Sequence, residues 1–508
     1  WYICHLGPQR TERRNKITES SWLPYIFCLY NSNASHHSTS ITKKTSGKCA
    51  SGPPVEVQQP PIVGEGLIRA SVAMSQPKED IFASEDLIVA LTGRGPSVAN
   101  IKAILSRIRR DGAPGPNGLP GSLFREDCSF WSERLTPTFQ HCYYTGTALE
   151  SWKGSILHPI FKKGDPLDPS NYRLVALLDI DGKAYASFLL QRLTEWVEDQ
   201  GLLPFYQTGF RAKASTIDNI TALSFLFHQA RQGQTRPLYC CFIDYSSAFD
   251  GVDRGKLWAK LESWGIDDDL LQAIKSLYSD TWVRLKLSTK LASDKIATSR
   301  GLKQGCVLAP LLFNLYTADL GPAIIPSCFL APSIGPRKIP LLQYADDLVL
   351  MDHTKIGLQR MMSALNHYNI INGLRANQQK TKAMVIGKHR NKCQLVWALG
   401  PESIETTRTY CYLGLWVNDF ASPVTHRERL KIKSQSIQYG LNRLYNTLHS
   451  PSAEAIRKVI RAKLIPSISY GSLAFPNYFS PFLEKTQCAT YRKVFKLPCY
   501  TRNSLIRQ

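Results

Sequence analysis

The stretch LLQYADDLVLM, residues 341–351, sets two aspartates, Asp346 and Asp347, between two apolar runs. Short apolar runs flanking a polar pair predict two buried strands joined by a turn. Both carboxylates then sit at the tip of a hairpin. Like charges at the end of buried strands repel each other, and a cation between them relieves that cost. Acid pairs at turns are often only solvated turn residues, so the pair needs a further partner before it implies chemistry.

A second run offers one. RPLYCCFID, residues 236–244, is short, apolar and aromatic, and it ends on Asp244. It predicts a buried strand that delivers a third carboxylate at its end. Hard divalent cations such as Mg²⁺ prefer carboxylate oxygens and keep waters that phosphates can displace. Two such ions about 3.5–4 Å apart can activate an attacking oxygen and stabilise a leaving one at phosphorus. Spacing by itself leaves metal binding and a solvated turn both open.

Composition narrows the partner. The chain has 508 residues, 43 % of them hydrophobic, enough for several domains with large cores. Lys and Arg number 62 against 40 Asp and Glu, a formal charge of +22. Such an excess favours a polyanion, and nucleic acid is the commonest, because neutralised phosphates release counterions; a basic but ordinary surface is the bland alternative. The 13 cysteines are scattered, odd in number and without a C-x-x-C, which argues against a disulfide framework and a zinc knuckle. A reducing compartment, nucleus or cytoplasm, fits. No apolar stretch is long enough to span a bilayer, and no signal-peptide pattern opens the chain, so no membrane partner is expected. The first residue is Trp1 rather than Met, so the sequence reads as a fragment or as having a misassigned start.

Along the chain, residues 1–83 lack periodicity and include NSNASHHSTSITKKTSGKCASGPP (31–54), which predicts a poorly ordered leader. Order is expected from about residue 84. SVANIKAILSRIRRDG (97–112) predicts a helix capped by Ser97, stopped at Gly112, with Val98, Ile101, Ile104, Leu105 and Ile108 on its apolar face. Further helices are expected over 183–199, along Leu257, Leu261 and Trp264, and along Leu270, Leu271, Ile274, Leu277 and Tyr278. Residues 425–465 read as helical and basic, with Leu430, Ile437, Leu441 and Leu444 toward a core.

Three blocks in order, FIDYSSAFD (242–250), GLKQGCVLAP (301–310) and YADD (344–347), resemble the palm motifs of reverse transcriptases. APGPNGLP (113–120), HPIFKKGDPLDPSNYRLVALLDIDGK (158–183), QTGFRAKASTIDNI (207–220), GLRANQQKTKAMV (373–385) and YCYLG (410–414) are similar to further blocks of the non-LTR (LINE-type) retrotransposon enzymes. The resemblance runs from about 97 to 480 and makes metal binding the expected role of the acids.

The resemblance implies an α+β right-hand polymerase: fingers, a palm with a mainly antiparallel sheet, and a helical thumb. The implied division is 84–235 for an N-terminal extension and fingers with part of the palm, 236–415 for the palm, and 416–508 for the thumb and tail. Asp244, Asp346 and Asp347 would be catalytic and would hold two Mg²⁺ ions, Mn²⁺ being an alternative, with the Tyr245 carbonyl assisting. Lys162, Lys163 and Arg173 would clamp the triphosphate, Arg173 bidentately; the plainer role is a solvated basic loop. Phe249 would exclude a 2′-hydroxyl, or else simply pack in the core. Gln304 and Gly305 would line the dNTP pocket, Gly305 allowing close backbone approach. Relatives often carry Ser where this chain has Ala309. Lys380 or Lys382 would protonate the leaving pyrophosphate, and Tyr412, Leu413 and Gly414 would form the primer grip. Asp250 is better read as a charge at a helix N-terminus. Substrates would be an RNA template, a DNA primer and dNTPs; oligomeric state is not legible. The rivals are a non-catalytic or decayed RNA-binding relative, which a broken acid set would have favoured, and an intron-type reverse transcriptase.

Overall fold

A computed structural model describes residues 95–287, 290–291, 293–387, 395–447 and 452–507. The leader expected over 1–83 and the expected onset of order near residue 84 lie outside the described residues. In chain order, the elements that matter here begin with α1 (Val98–Leu105), α2 (Cys128–Thr145), β1 (Gly154–Phe161), β2 (Tyr172–Leu177) and α3 (Ile180–Asp199). Next come α4 (Thr216–Gln232), β3 (Leu238–Ile243), α5 (Arg254–Ser263), α6 (Asp268–Tyr278), β4 (Trp282–Leu287) and α7 (Ala309–Tyr316). The chain continues through β5 (Leu341–Tyr344), β6 (Asp347–Asp352), α8 (Lys355–Asn372), β7 (Lys382–Ile386), β8 (Thr409–Tyr412), β9 (Leu415–Asn418), α9 (Val424–Thr447) and α10 (Pro476–Val494). Packing divides the described residues into two compact units, 95–193 with Glu262–Leu308, and Thr194–Leu261 with 309–507.

In the first unit β1 runs antiparallel to β2, pairing Phe161 with Tyr172, and parallel to β4, pairing Gly154 with Trp282. Leu157, Leu174, Ala176, Val283 and Leu285 are buried on this sheet. Beside it, Phe139 of α2, Trp152 and Tyr185 of α3 form an aromatic cluster with centroids 5.1–5.5 Å apart. In α6 all five residues expected on the apolar face are buried, and Asp267 caps the helix through the Leu270 N–H. The Ser97 hydroxyl caps α1 by accepting from the Asn100 N–H, as its sequence suggests. That helix stops at Leu105 rather than Gly112, because the next N–H groups turn to i−3 carbonyls and Arg125 takes the Ile108 carbonyl at 3.0 Å. Val98 is exposed, off the apolar face assigned to it.

The second unit is built on a four-stranded sheet of order β7-β3-β6-β5, every pair antiparallel. All six residues of β3 are buried, which explains an unbroken apolar run where a half-exposed strand would alternate. Cys240 and Phe242 join Val349, Met351 and Met384 beneath Leu223, Leu226 and Phe227 of α4. Cys241 and Ile243 point to the opposite face, and α8 packs against β3 and β6. In α5 Leu257 and Leu261 are buried, but the helix ends at Ser263, so Trp264 falls beyond it. In α9 the buried stripe runs His426, Leu430, Ser434, Gln438, Leu441 and on to Tyr445. Gln438 spends its polarity on Thr490 of α10 at 2.7 Å. Leu444 lies beside that stripe and is exposed, against its expected core role.

The nine described cysteines are unpaired. No described helix is long and apolar enough to cross a membrane.

Candidate active site

Tyr344 pairs with Asp347, which leaves Ala345 and Asp346 as a two-residue turn. The φ of Ala345 is +55°, while Asp346 keeps a negative value, the pattern of a type II′ hairpin. A non-glycine residue there costs on the order of 1–3 kcal/mol and persists only where its surroundings over-determine it. Here they do. The Ala345 N–H donates to Gln207 Oε1 at 3.1 Å, and the Ala345 carbonyl accepts from Gln343 Nε2 at 3.1 Å. The same Gln207 oxygen accepts from the Gly209 N–H at 2.8 Å. A Cβ on Gly209 would lie 2.5 Å from the Ala345 nitrogen, so backbone packs directly on backbone.

Gln343 is bound all round. Its side chain also donates to Thr317 Oγ1 (3.0 Å), its N–H donates to the Tyr206 carbonyl (2.9 Å), and its carbonyl accepts from the Thr208 N–H (3.1 Å) and Asn219 Nδ2 (3.0 Å). Asn314 Nδ2 closes the set on the Gly209 carbonyl at 2.7 Å. Sequence reasoning gave these residues no role. The available clue was a glutamine inside an apolar strand, since buried amides must find partners.

The acids follow from register. Ile243 of β3 pairs with Leu348 of β6, so one step further Asp244 stands opposite Asp347. Asp346 occupies the adjoining turn. All three are partly exposed. Burial pushes the Asp347 carboxyl up to about 7, helped by the charges of Asp346 and then Asp244, with Lys380 opposing. Asp244 Oδ1 meets Lys380 Nζ at 3.0 Å. That lysine is set there by its own backbone: the Asn377 N–H donates to the Asp244 carbonyl at 2.6 Å, and Tyr245 bridges Ala376. The buried Tyr245 hydroxyl donates to Asn369 Oδ1 at 2.9 Å. Lys382 is drawn instead to Glu405 at 2.9 Å. Of the two candidate lysines, only Lys380 reaches the acids. Asp250 is buried, and the residue capping α5 is Asp253, which accepts from the Lys256 N–H at 3.1 Å. The dipole role given to Asp250 thus belongs to Asp253.

Among the described residues no three His, Cys, Asp or Glu side chains already form a closed cation cage. The donor chemistry nonetheless fits a divalent cation. One of the three carboxyls resists ionisation because of burial and the other two, and another already holds an ammonium group.

Phe249 is half-buried and its ring stacks on Phe313 of α7, centroids 4.9 Å apart at 26°. Tyr412 pairs with Leu415 across a turn whose residues, Leu413 and Gly414, both have positive φ (+45° and +84°), as type I′ requires. Tyr412 is buried, its hydroxyl accepting from Asn219 Nδ2 at 3.4 Å. The Tyr470 hydroxyl donates to the Leu413 carbonyl and contacts Thr216 Oγ1 at 3.1 Å.

The remaining expected residues lie in the first unit. Lys162 and Lys163 are exposed where the β1–β2 hairpin opens into its loop, and Arg173 is exposed on β2 opposite Ile160. The loop is tied by the Lys162 N–H on the Asn171 carbonyl (2.9 Å) and the Tyr172 hydroxyl on the Pro166 carbonyl (2.9 Å). The Gln304 carbonyl accepts from the Ala176 N–H at 2.7 Å. Gly305 has φ +126°, and a Cβ there would lie 2.5 Å from the Ala176 oxygen. At Gly305 the backbone thus lies close against strand β2.

Residues 160–417, about half of the chain, match the family model described as reverse transcriptase (RNA-dependent DNA polymerase). The chain is 24 % identical over 372 residues to a Pol polyprotein of the type-1 retrotransposable element R2 of Popillia japonica, covering 71 % of this chain and 49 % of that protein. It is 21 % identical over 416 residues to the RNA-directed DNA polymerase of the mobile element jockey of Drosophila melanogaster, covering 80 % and 44 %. The chain thus spans half or less of the length of these relatives. Apo telomerase of Candida tropicalis aligns with a TM-score of 0.40 at 13 % identity, over 72 % of this chain and 67 % of that one.

Proposed function

Because the chain belongs to the reverse transcriptase family, with relatives in non-LTR mobile elements, we propose that it extends a DNA primer with dNTPs on an RNA template. The observation that carries this reading is the register that sets Asp244 opposite Asp347 beside Asp346.

In the reaction the primer 3′-oxygen bonds to the α-phosphorus of the dNTP, the bond from that phosphorus to the bridging oxygen breaks, and pyrophosphate leaves with the electron pair. Asp244, Asp346 and Asp347, with the Tyr245 carbonyl, would hold the two Mg²⁺ ions. Bound there, the ions would lower the pKa of the 3′-hydroxyl and neutralise charge at phosphorus. Lys380, already beside Asp244, offers its ammonium to the departing pyrophosphate. The Phe249 ring, braced by Phe313, excludes a 2′-hydroxyl. Lys162, Lys163 and Arg173 bind triphosphate, Gln304 and Gly305 bind nucleotide, and Tyr412, Leu413 and Gly414 hold the primer end. Base pairing with the template chooses the nucleotide.

The test is primer extension on a homopolymer RNA template with Mg²⁺. The natural chain should incorporate dNTPs, and Asp346→Asn should lower incorporation by a factor on the order of 10³ with an unchanged melting temperature. Equal incorporation by both would remove the role given to the acids.

A further inference from the structure

Beneath α4 the interior is apolar: Ile220, Leu223, Leu226 and Phe227 are buried in one cluster with Phe242, Val349 and Met384. Asn219 breaks that pattern. It is 2 % exposed, and burying an amide is costly unless its hydrogens find acceptors. Its Nδ2 carries two hydrogens, and two different elements supply the acceptors. The Gln343 carbonyl of β5 lies at 3.0 Å and the Tyr412 hydroxyl of β8 at 3.4 Å. Gln343 stands two residues before Ala345 of the catalytic turn, and Tyr412 leads directly into the Leu413–Gly414 turn. One side chain therefore joins the turn that carries Asp346 to the hairpin read as the primer grip.

A second link leaves the same face of the helix. Thr216, three residues earlier, has its Oγ1 3.1 Å from the Tyr470 hydroxyl, which donates to the Leu413 carbonyl. The start of α4 is itself fixed, since the Ser215 N–H donates to Asp218 Oδ2 at 2.7 Å. Apolar packing alone would hold the hairpin near the sheet but let it slide, whereas directional bonds set a distance. Attack on phosphorus is sensitive to such distances, and a displacement of about 1 Å can slow a reaction by about 10². An apolar side chain at position 219 would fill the space without the cost of desolvating an amide.

We infer that Asn219 is a positioning residue that fixes the spacing between the catalytic turn and the β8–β9 hairpin, and so seats the primer 3′-oxygen against the acids. It touches no substrate and acts through Gln343 and Tyr412. The inference rests on the polymerase reading and deepens it.

The experiment compares the natural chain with Asn219→Leu, Tyr412→Phe and the double variant. It records kcat and KM for dNTP, affinity for a fluorescein-labelled template–primer by anisotropy, and melting temperature. Leucine has the branched outline of asparagine without its polar atoms, and the Gln343 carbonyl keeps the Thr208 N–H at 3.1 Å. Phenylalanine removes one hydroxyl. Asn219→Leu should lower kcat by about tenfold or more, and Tyr412→Phe by about threefold, with KM and duplex affinity unchanged. The double variant should be no slower than Asn219→Leu, because both changes break the same bond. Undiminished kcat in Asn219→Leu overturns the inference, even with a lower melting temperature, which would make Asn219 a packing residue. So do losses that multiply in the double variant, or a loss confined to KM or duplex affinity. If the leucine variant does not fold, Tyr412→Phe decides: a lower kcat at unchanged KM and melting temperature supports the inference, and natural turnover overturns it. A natural chain that incorporates nothing removes the polymerase reading and this inference together. Incorporation with undiminished kcat in the variants removes this inference alone.

Discussion

Phe249 lies with one face of its ring on Phe313, and a steric gate needs such a brace so that it cannot swing from an incoming ribose. Replacing it by alanine should raise the efficiency of rNTP use relative to dNTP by roughly tenfold or more, read as the ratio of kcat/KM values; an unchanged ratio would return Phe249 to the core. Gly305 is constrained twice, by φ +126° and by the Ala176 oxygen. Gly305→Ala should therefore cost about 1–3 kcal/mol in urea unfolding and raise the KM for dNTP. Wild-type stability in that variant would contradict the clash. At this scale the acids were legible because adjacent like charges next to apolar runs are costly and so draw notice. Gln207 and Gln343 were not, since an amide declares its role only through its partners, and these include Ala345 for Gln207 and Thr317 for Gln343, on other elements of the chain. Lys380 and Lys382 could not be told apart by spacing; the pull of Glu405 on one and Asp244 on the other separates them.

Among elements, the β8–β9 hairpin is tied to the helical region by an imidazole as well as by the Tyr470 hydroxyl. His426 is buried; its Nδ1 accepts from the Trp416 N–H at 3.4 Å, which leaves Nε2 to donate to the Tyr470 carbonyl at 3.0 Å. Burial lowers its pKa, the Tyr470 carbonyl opposes that shift, and Lys433 adds to it. Folding therefore favours the neutral ring. Its contribution is complete above the ordinary value near 6.5 and is lost as pH falls through the lowered one. The melting temperature should drop between pH 7.5 and 5, and drop less in His426→Phe. Parallel pH profiles for the two proteins would exclude the imidazole as the cause. Element type was legible wherever periodicity was strong, as in α6 and β3. Ends were less so: α1 halts early, where the Arg107 and Ile108 N–H groups turn to i−3 carbonyls. The stripe of α9 was misjudged at Leu444 because it is carried by Ser434 and Gln438, polar residues that hydrophobic patterning passes over.

For the whole molecule, a charge of +22 predicts that affinity for the template–primer duplex rests largely on phosphate contacts. Binding should weaken more than roughly tenfold between about 50 and 200 mM salt, measured by anisotropy; salt-independent affinity would leave the charge without that role. The two compact units were not legible as units, because each is assembled from separated stretches. The breaks fall inside α3 and α5 and at the start of α7, where composition does not change and no linker announces them. A last consequence concerns β5, which ends the four-stranded sheet. An uncovered margin of this kind is a template onto which a strand from another molecule can add. The Tyr206 and Thr208 backbone already occupies it at Gln343, so the segment that steadies the turn also keeps the sheet from growing. A copy of the chain damaged there would be prone to clump with its neighbours while all three of its carboxylates remained intact.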